Sequence, residues 1–300
     1  MTDKSLTYST SFLSKLHDYK ELTKFTLTFT VVFTCVISYL LAPSIISYNL
    51  KMILLLFAAG LLITGSANAI NQAVEKNSDA LMKRTANRPV AAGRMSQKEA
   101  YTFAFVTGAI GVFIMWYFFN TSSALLSAFS LFLYSFIYTP LKTKNSIAVL
   151  IGGLPGALPC LIGWVAAEDS FSIGGWILFA IQFIWQFPHF WAIAWVAHKD
   201  YTAAGFKLLP SNEGPTKYTA IQTIMYSVLM IPIGLLPYYF NITGSVSMYI
   251  ILACNIAMVI QSIRLYNQMN VKAAKRVMFS SYIYLPIVYL AMLADKIAIL

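Results

Sequence analysis

Three oxygen-bearing side chains stand four residues apart where an apolar run ends: Asn71, Glu75 and Asp79. In a helix each step of four residues turns about 400°, so all three project from nearly one face, spread over roughly 12 Å of axis. Such a row suits a hard cation such as Mg²⁺, which takes one or two carboxylates, keeps several waters and shares its other positions with a phosphate. Arg84 and Arg88 repeat the spacing of four further on, and Pro89 is expected to end the helix. Arg grips phosphate oxygens with parallel N–H groups. Oxygens for a metal followed by Arg for phosphates predict a metal–diphosphate site. The competing reading is a solvated helix end, where runs of charge usually sit.

Other segments offer candidates with open alternatives. Asp200, with Tyr201 beside it, is the lone acid near the end of another apolar run. It completes a metal site opened by Glu75 and Asp79, caps its helix, or pairs with Lys199. Lys142 and Lys144 are cations at a membrane edge, placed either to hold a diphosphate or to anchor on lipid headgroups. Gly152-x-x-x-Gly156 has the spacing of close helix packing, and equally admits a flat ligand to the backbone. Pro188 and His189 lie in the apolar body of a span. The Pro is expected to kink that helix, breaking the span and freeing a carbonyl. An ionisable residue inside a membrane is a functional candidate. His189 ligates a haem iron, hydrogen-bonds a carboxylate, or bonds to a neighbouring helix. The aromatic residues around it read as packing. Ser96 and Glu99 form a capping box at the start of a helix, which accounts for that acid.

The elements that must carry these residues are membrane helices. Charged residues make up 11% of the 300 residues and hydrophobic ones 58%, where a soluble domain carries about 25% charged residues. Nine apolar runs are long enough to span: roughly 25–44, 50–71, 99–119, 122–141, 147–167, 173–197, 218–240, 244–264 and 276–295. If the spans alternate in direction, 19 of the 21 Lys and Arg fall on one side. The positive-inside rule makes that side cytoplasmic, with the N-terminus inside and the C-terminus outside. The expected fold is an all-α polytopic bundle of nine transmembrane helices with a cytoplasmic polar mouth, one domain over residues 1–300. Residues 1–24 are a cytoplasmic segment carrying a short surface helix, without the apolar core of a signal peptide. The net charge of +10 then reflects topology and anionic membrane lipid, and nucleic acid is not expected as a partner. Cys35, Cys160 and Cys254 all lie in apolar runs and read as small hydrophobes, and no C-x-x-C-H for covalent haem is present.

Five blocks, in order, make the sequence similar to a known family: "SANAINQ", "DALMKRTANRPVAAGR", "IGGLPGALPCLIGW", "WQFPHFWAIAW" and "DYTAAGFKLLP". The chain resembles the UbiA-type intramembrane prenyltransferases, in particular their heme-farnesylating branch, from about Asp18 to the end of the ninth run. The resemblance implies a nine-helix bundle in a bacterial cytoplasmic membrane. It implies transfer of a farnesyl group from farnesyl diphosphate to a vinyl group of heme B, giving heme O and diphosphate with Mg²⁺ as cofactor. Heme A synthase or terminal oxidase assembly are the protein partners it suggests. Asn71, Glu75 and Asp79 match the first metal–diphosphate motif, Arg84 and Arg88 its phosphate-binding pair, Asp200 and Tyr201 the second motif, and His189 the Pro-His of span six. The second motif usually has two acids spaced by four. Here positions 196 and 204 are Val196 and Ala204, which leaves Asp200 alone. Phe25 follows Lys24 where a Pro is expected. Two rivals remain: a prenyltransferase of the same fold acting on a quinone precursor, and a multi-span transporter. Against the second, the polar groups gather at one mouth and not at the midplane of paired repeats.

Overall fold

The computed structural model describes residues 12–211 and 213–297. Asp3, one of the N-terminal acids, lies outside them. Each of the nine apolar runs is a helix. α1 (Phe12–Leu22) meets α2 (Phe25–Leu41) at a bend of 51°. α3 (Leu50–Val74) is followed by the short α4 (Lys76–Leu81) and a run of turns to α5 (Gln97–Phe118). The next span is compound: α6 (Thr121–Phe132), a π-helical stretch (Leu133–Tyr138) and α7 (Thr139–Leu141). α8 (Ala148–Glu168), α9 (Ile173–Val196), the short α10 (His198–Ala203), α11 (Lys217–Tyr239), α12 (Ser245–Gln268) and α13 (Val271–Ala294) complete the chain. Among the described residues eight helices are long and apolar enough to cross a membrane alone, and the bent α1–α2 pair makes a ninth. The chain is an integral membrane protein.

Burial sorts the helices. α8 and α9 have 78% and 72% of their apolar spans buried, against 22% for α5, so they form the centre and α5 the rim. Rim helices expose Phe105, Phe113, Leu125 and Tyr249, as contact with lipid allows. The glycines of α8 serve packing. A Cβ on Gly163 would collide with the Cys35 carbonyl of α2, and one on Gly152 with the Tyr138 ring. So α2 and the π-helical stretch approach α8 more closely than side chains would permit. The alternative left open in the sequence, a ligand against that backbone, is taken by protein.

Two expectations fail. α9 runs unbroken through Pro188 from Ile173 to Val196, because the surrounding helices hold it and a single missing N–H removes one bond of many. The capping box is half made. Ser96 Oγ accepts the Glu99 N–H at 3.0 Å, but the Glu99 carboxylate turns instead to Lys15 Nζ (3.1 Å) and Tyr19 OH (3.0 Å). With Arg94 on Asp18 and Glu21 (2.8 Å each), it pins α1 across the mouth.

Candidate active site at the polar mouth

The row of oxygens begins on α3 but does not stay on one helix. α3 stops at Val74. Glu75 caps it and starts α4, which ends at Leu81. Arg84 and Arg88 therefore sit on turns beyond the helix, not on its next face. The turns bring Arg88 back: its Nη1 reaches both carboxylate oxygens of Asp79 at 2.8 Å. Thr85 Oγ1 donates to the Asp79 carbonyl at 2.8 Å and fixes the loop. A regular helix would have carried Arg88 about 14 Å from Asp79 along the axis.

Each oxygen-bearing residue meets a cation or a fixed donor. Glu75 accepts from Lys142 Nζ at 2.8 Å, and both side chains are at least nine-tenths buried. Asn71 Oδ1 accepts from Lys24 Nζ at 2.8 Å, while its Nδ2 donates to Thr139 Oγ1 at 3.4 Å. Burial works most strongly against the Lys142 ammonium, but the charge and hydrogen bond of Glu75, with Tyr134 and Tyr201, together outweigh it and hold its pKa above the ordinary value. Lys24 goes the other way. Burial, then the charges of Arg88 and Lys142, pull it well below its ordinary value, against the weaker help of Glu75 and Asp79. Its backbone is left-handed, φ 49° and ψ 54°, a costly state for a residue with a Cβ. The elbow between α1 and α2 is thus held strained so that one Lys points inward.

The π-helical stretch shapes the opposite wall. Lys142 Nζ lies 4.5 Å from the Tyr138 ring centre and 6.0 Å from that of Tyr134. The Lys142 carbonyl accepts the Lys207 N–H at 2.9 Å, which ties in the loop after α10. Arg84 Nη2 donates to Tyr201 OH at 3.2 Å. Thus Asn71, Glu75, Asp79, Arg84, Arg88, Lys142 and Tyr201 are gathered at one mouth as a set of neighbouring polar pairs. Three candidates stand apart: His189, deeper in the bundle, Lys144 and Asp200. Lys144 is exposed, with no side-chain partner among the described residues, because the chain turns after Leu141 and aims successive side chains apart. Asp200 is half-buried on α10, its carboxylate without a partner among the described residues. No group of three or more His, Cys, Asp and Glu among them stands close enough to share an ion, so Asp200 does not join Glu75 and Asp79 directly.

Below the polar pairs lies a cavity of about 730 Å³. Lys24, Arg84, Arg88 and Tyr201 line its mouth, with the acids behind them. His189, Phe190, Met278 and Tyr282 line it further in. His189 is seven residues before the end of α9, about 10 Å down the axis. Ligand cavities typically hold about 300–1,000 Å³. Sequence reasoning missed Lys24, Tyr138 and Thr139. Lys24 looks like any of the N-terminal lysines that set topology, and only its place as the last residue before an apolar run hinted otherwise.

Buried carboxylates whose side-chain partners are cations, Lys142 on Glu75 and Arg88 on Asp79, fit an Mg²⁺ site. Mg²⁺ uses one or two carboxylates with substrate phosphates, not an all-protein cage. A bundle with acids and Arg gathered at one mouth, above an aromatic chamber, defines an intramembrane prenyltransferase. The UbiA prenyltransferase family model matches residues 31–284, and the chain belongs to that family. A Cytophaga hutchinsonii protein named protoheme IX farnesyltransferase is 46% identical, covering 95% of this chain and 99% of its own. One of the same name from Christiangramia forsetii is 43% identical over 94% of each. The fold is also that of a digeranylgeranylglyceryl phosphate synthase structure (TM-score 0.76, 21% identity, 94% of this chain and 98% of that one). A UbiA homolog from Archaeoglobus fulgidus bound to GPP and Mg²⁺ superposes with TM-score 0.70 at 15% identity, over 92% of this chain and 99% of that one.

Proposed function

We propose that the protein transfers the farnesyl group of farnesyl diphosphate to a vinyl group of heme B, forming heme O and diphosphate. The observation that carries this is the single cavity whose mouth is cationic and whose depth is aromatic and holds a His. The near-full-length relatives of that name support the choice of substrates. The whole chain acts as one domain in a bacterial cytoplasmic membrane. Its mouth and N-terminus face the cytoplasm, as the bias of 19 in 21 Lys and Arg suggests.

In this reading Glu75 and Asp79 would hold Mg²⁺, with Asn71 and Asp200 as further oxygen donors. Bound Mg²⁺ neutralises phosphate oxygens and so stabilises the charge that leaves with them. Lys142 and Lys24 turn from their present partners to the diphosphate, Arg88 reaches it with its remaining N–H groups while keeping Asp79, and Arg84 and Tyr201 close over it. The allylic carbon–oxygen bond breaks, and its electron pair departs on the diphosphate. Fixed cations are worth most here, in a site from which water is excluded. Phe190, Tyr282 and Met278 keep water from the farnesyl cation until the vinyl π electrons of heme B attack it. The new cation beside the porphyrin is captured by water, which gives up a proton. His189 faces the acceptor.

Mass analysis of products from purified protein with farnesyl diphosphate, heme B and Mg²⁺ tests this reading. Heme O should form and diphosphate be released without any ion gradient. Prenylation of a quinone precursor with heme B untouched would move the protein to the rival acceptor class.

Lys24 makes diphosphate binding pH-dependent. Its low pKa in the free protein means that an arriving anion, which favours the ammonium, raises it. Above the free-state pKa, binding therefore takes up a proton, and affinity falls as pH rises through that value. Calorimetric titration with inorganic diphosphate and Mg²⁺, in buffers of different ionisation heat, reads the uptake. Lys24→Met should remove it; an unchanged uptake would assign the proton elsewhere.

A further inference from the structure

His189 is held on three sides. Its Nδ1 lies 2.8 Å from Ser281 Oγ on α13. Its ring stacks on Trp185, one turn earlier on α9, at 4.6 Å between centres and 21° between planes. Trp185 Nε1 in turn donates to the Ser281 carbonyl at 3.2 Å, and the Tyr282 ring stands edge-on at 5.2 Å. So Ser281 fixes both the imidazole and the indole that supports it.

The direction of the Ser281–His189 bond follows from counting protons. A serine hydroxyl owns one proton. Ser281 Oγ gives it to the Met278 carbonyl at 2.6 Å, one turn back on α13. The hydroxyl can then only accept from His189, so Nδ1 carries the ring proton. In a neutral imidazole the lone pair is left on Nε2. Nε2 has no hydrogen-bond partner among the described residues and is not one of their buried, unpartnered atoms. His189 itself lines the cavity. Among the described residues no carboxylate bonds or pairs with the ring, which meets Ser281, Trp185, Phe190 and Tyr282.

We propose that Ser281 is a positioning residue for the acceptor: by accepting the Nδ1 proton it locks His189 in the tautomer whose Nε2 lone pair ligates the iron of heme B. The proposal rests on heme B being the acceptor. Binding forms one coordinate bond from Nε2 to iron, and no proton or electron moves. A metal-ligating His commonly donates its other N–H to a fixed oxygen, which sets tautomer and ring plane and raises ligand basicity. Here that oxygen is a hydroxyl already anchored to backbone. Iron held this way fixes the height and tilt of the macrocycle, hence where its vinyl group meets the farnesyl carbon. Without Ser281 the ring is free to rotate and to move its proton to Nε2, which abolishes the ligand.

The test uses the full-length protein in lipid nanodiscs with added ferrous heme B, read by resonance Raman at the iron–histidine stretch and by heme titration. The wild type should show the band, and His189→Ala should lose it. Ser281→Ala should weaken heme B affinity by about 10- to 100-fold, the usual effect of losing such a partner. It should also shift the band, yet leave affinity for inorganic diphosphate unchanged. Ser281→Thr, which keeps the hydroxyl, should restore both. If Ser281→Ala does not fold, Ser281→Cys replaces it, since the weaker sulfur acceptor must also shift the band. An unshifted band and unaltered affinity in a heme-binding protein overturn the role of Ser281 alone. A His189→Ala protein that keeps the band overturns His189 as the iron ligand and, with it, the role of Ser281. A wild type that binds no heme B overturns the acceptor assignment with it.

Discussion

Asp79→Ala lowers kcat by about 10³-fold, the upper range for removing one preorganised electrostatic contact to a leaving group. The residue is fully buried, and the bonds that hold it are polar. It meets Arg88 through its side chain and Thr85 through its carbonyl, and the Thr85 bond survives truncation. Arg88 keeps some access to water, at 18% side-chain exposure, so the orphaned charge is not trapped. The variant should therefore extract and melt as a folded protein while losing turnover. Asp79→Asn separates charge from shape: it keeps a hydrogen-bond acceptor for Arg88 but is a poor Mg²⁺ ligand, and it should be nearly as inactive. Glu75→Gln should cost less if Glu75 reaches the metal through water. The measurement is rate of heme O formation against Mg²⁺ concentration. A variant with near-wild-type rate at low Mg²⁺ would remove Asp79 from the metal site.

That outcome bears on why so much of the protein was legible and where legibility stopped. The nine runs were readable because lipid requires about 20 apolar residues per crossing, and α3, α8 and α11–α13 fall where the runs do. The residue types gathered at the mouth were readable, because a site for a diphosphate and a hard cation calls for carboxylates and Arg. Their pairing was not. Spacing placed Arg84 and Arg88 on a continuing helix, but α4 ends at Leu81 and the turns fold Arg88 back on Asp79. A local pattern does not announce a turn that tertiary contacts impose. Lys24 was hidden for the same reason. Nothing in the chain next to it says that α1 is pinned by Arg94 and that Gln72 Nε2 donates to the Glu21 and Leu22 carbonyls. The π-helical stretch at Leu133–Tyr138 has no sequence signature either, although such stretches favour functional sites. Ser281 is one serine in an apolar helix, and its meaning depends wholly on His189 lying 92 residues away.

Arg88→Lys is the sharper probe of the phosphate clamp, because it preserves charge. In the present arrangement a single nitrogen, Nη1, straddles both Asp79 oxygens. Nη2 and Nε therefore keep their N–H groups for another partner, and Arg88 lines the cavity mouth. Arg can thus hold Asp79 and a phosphate oxygen at once, in one plane. A Lys ammonium is a point donor on a flexible stem and must choose. If it stays on Asp79, the diphosphate loses a charge-assisted bond, worth about 1.5–3 kcal/mol. If it goes to the diphosphate, the metal-binding carboxylate loses its orientation. Either way kcat/KM for farnesyl diphosphate should fall by roughly 10- to 100-fold, at about 1.4 kcal/mol per factor of ten. The split between constants tells which choice was made: a raised KM with kcat kept means lost ground-state grip, and a lowered kcat means lost orientation in the transition state. Heme B affinity, read separately by titration, should not change, since His189 lines the cavity further in, with Ser281 buried behind it, and neither shares a bond with Arg88. Unchanged kcat and KM would show that Arg88 serves only to neutralise Asp79, and the clamp would then rest on Lys142, Lys24 and Arg84.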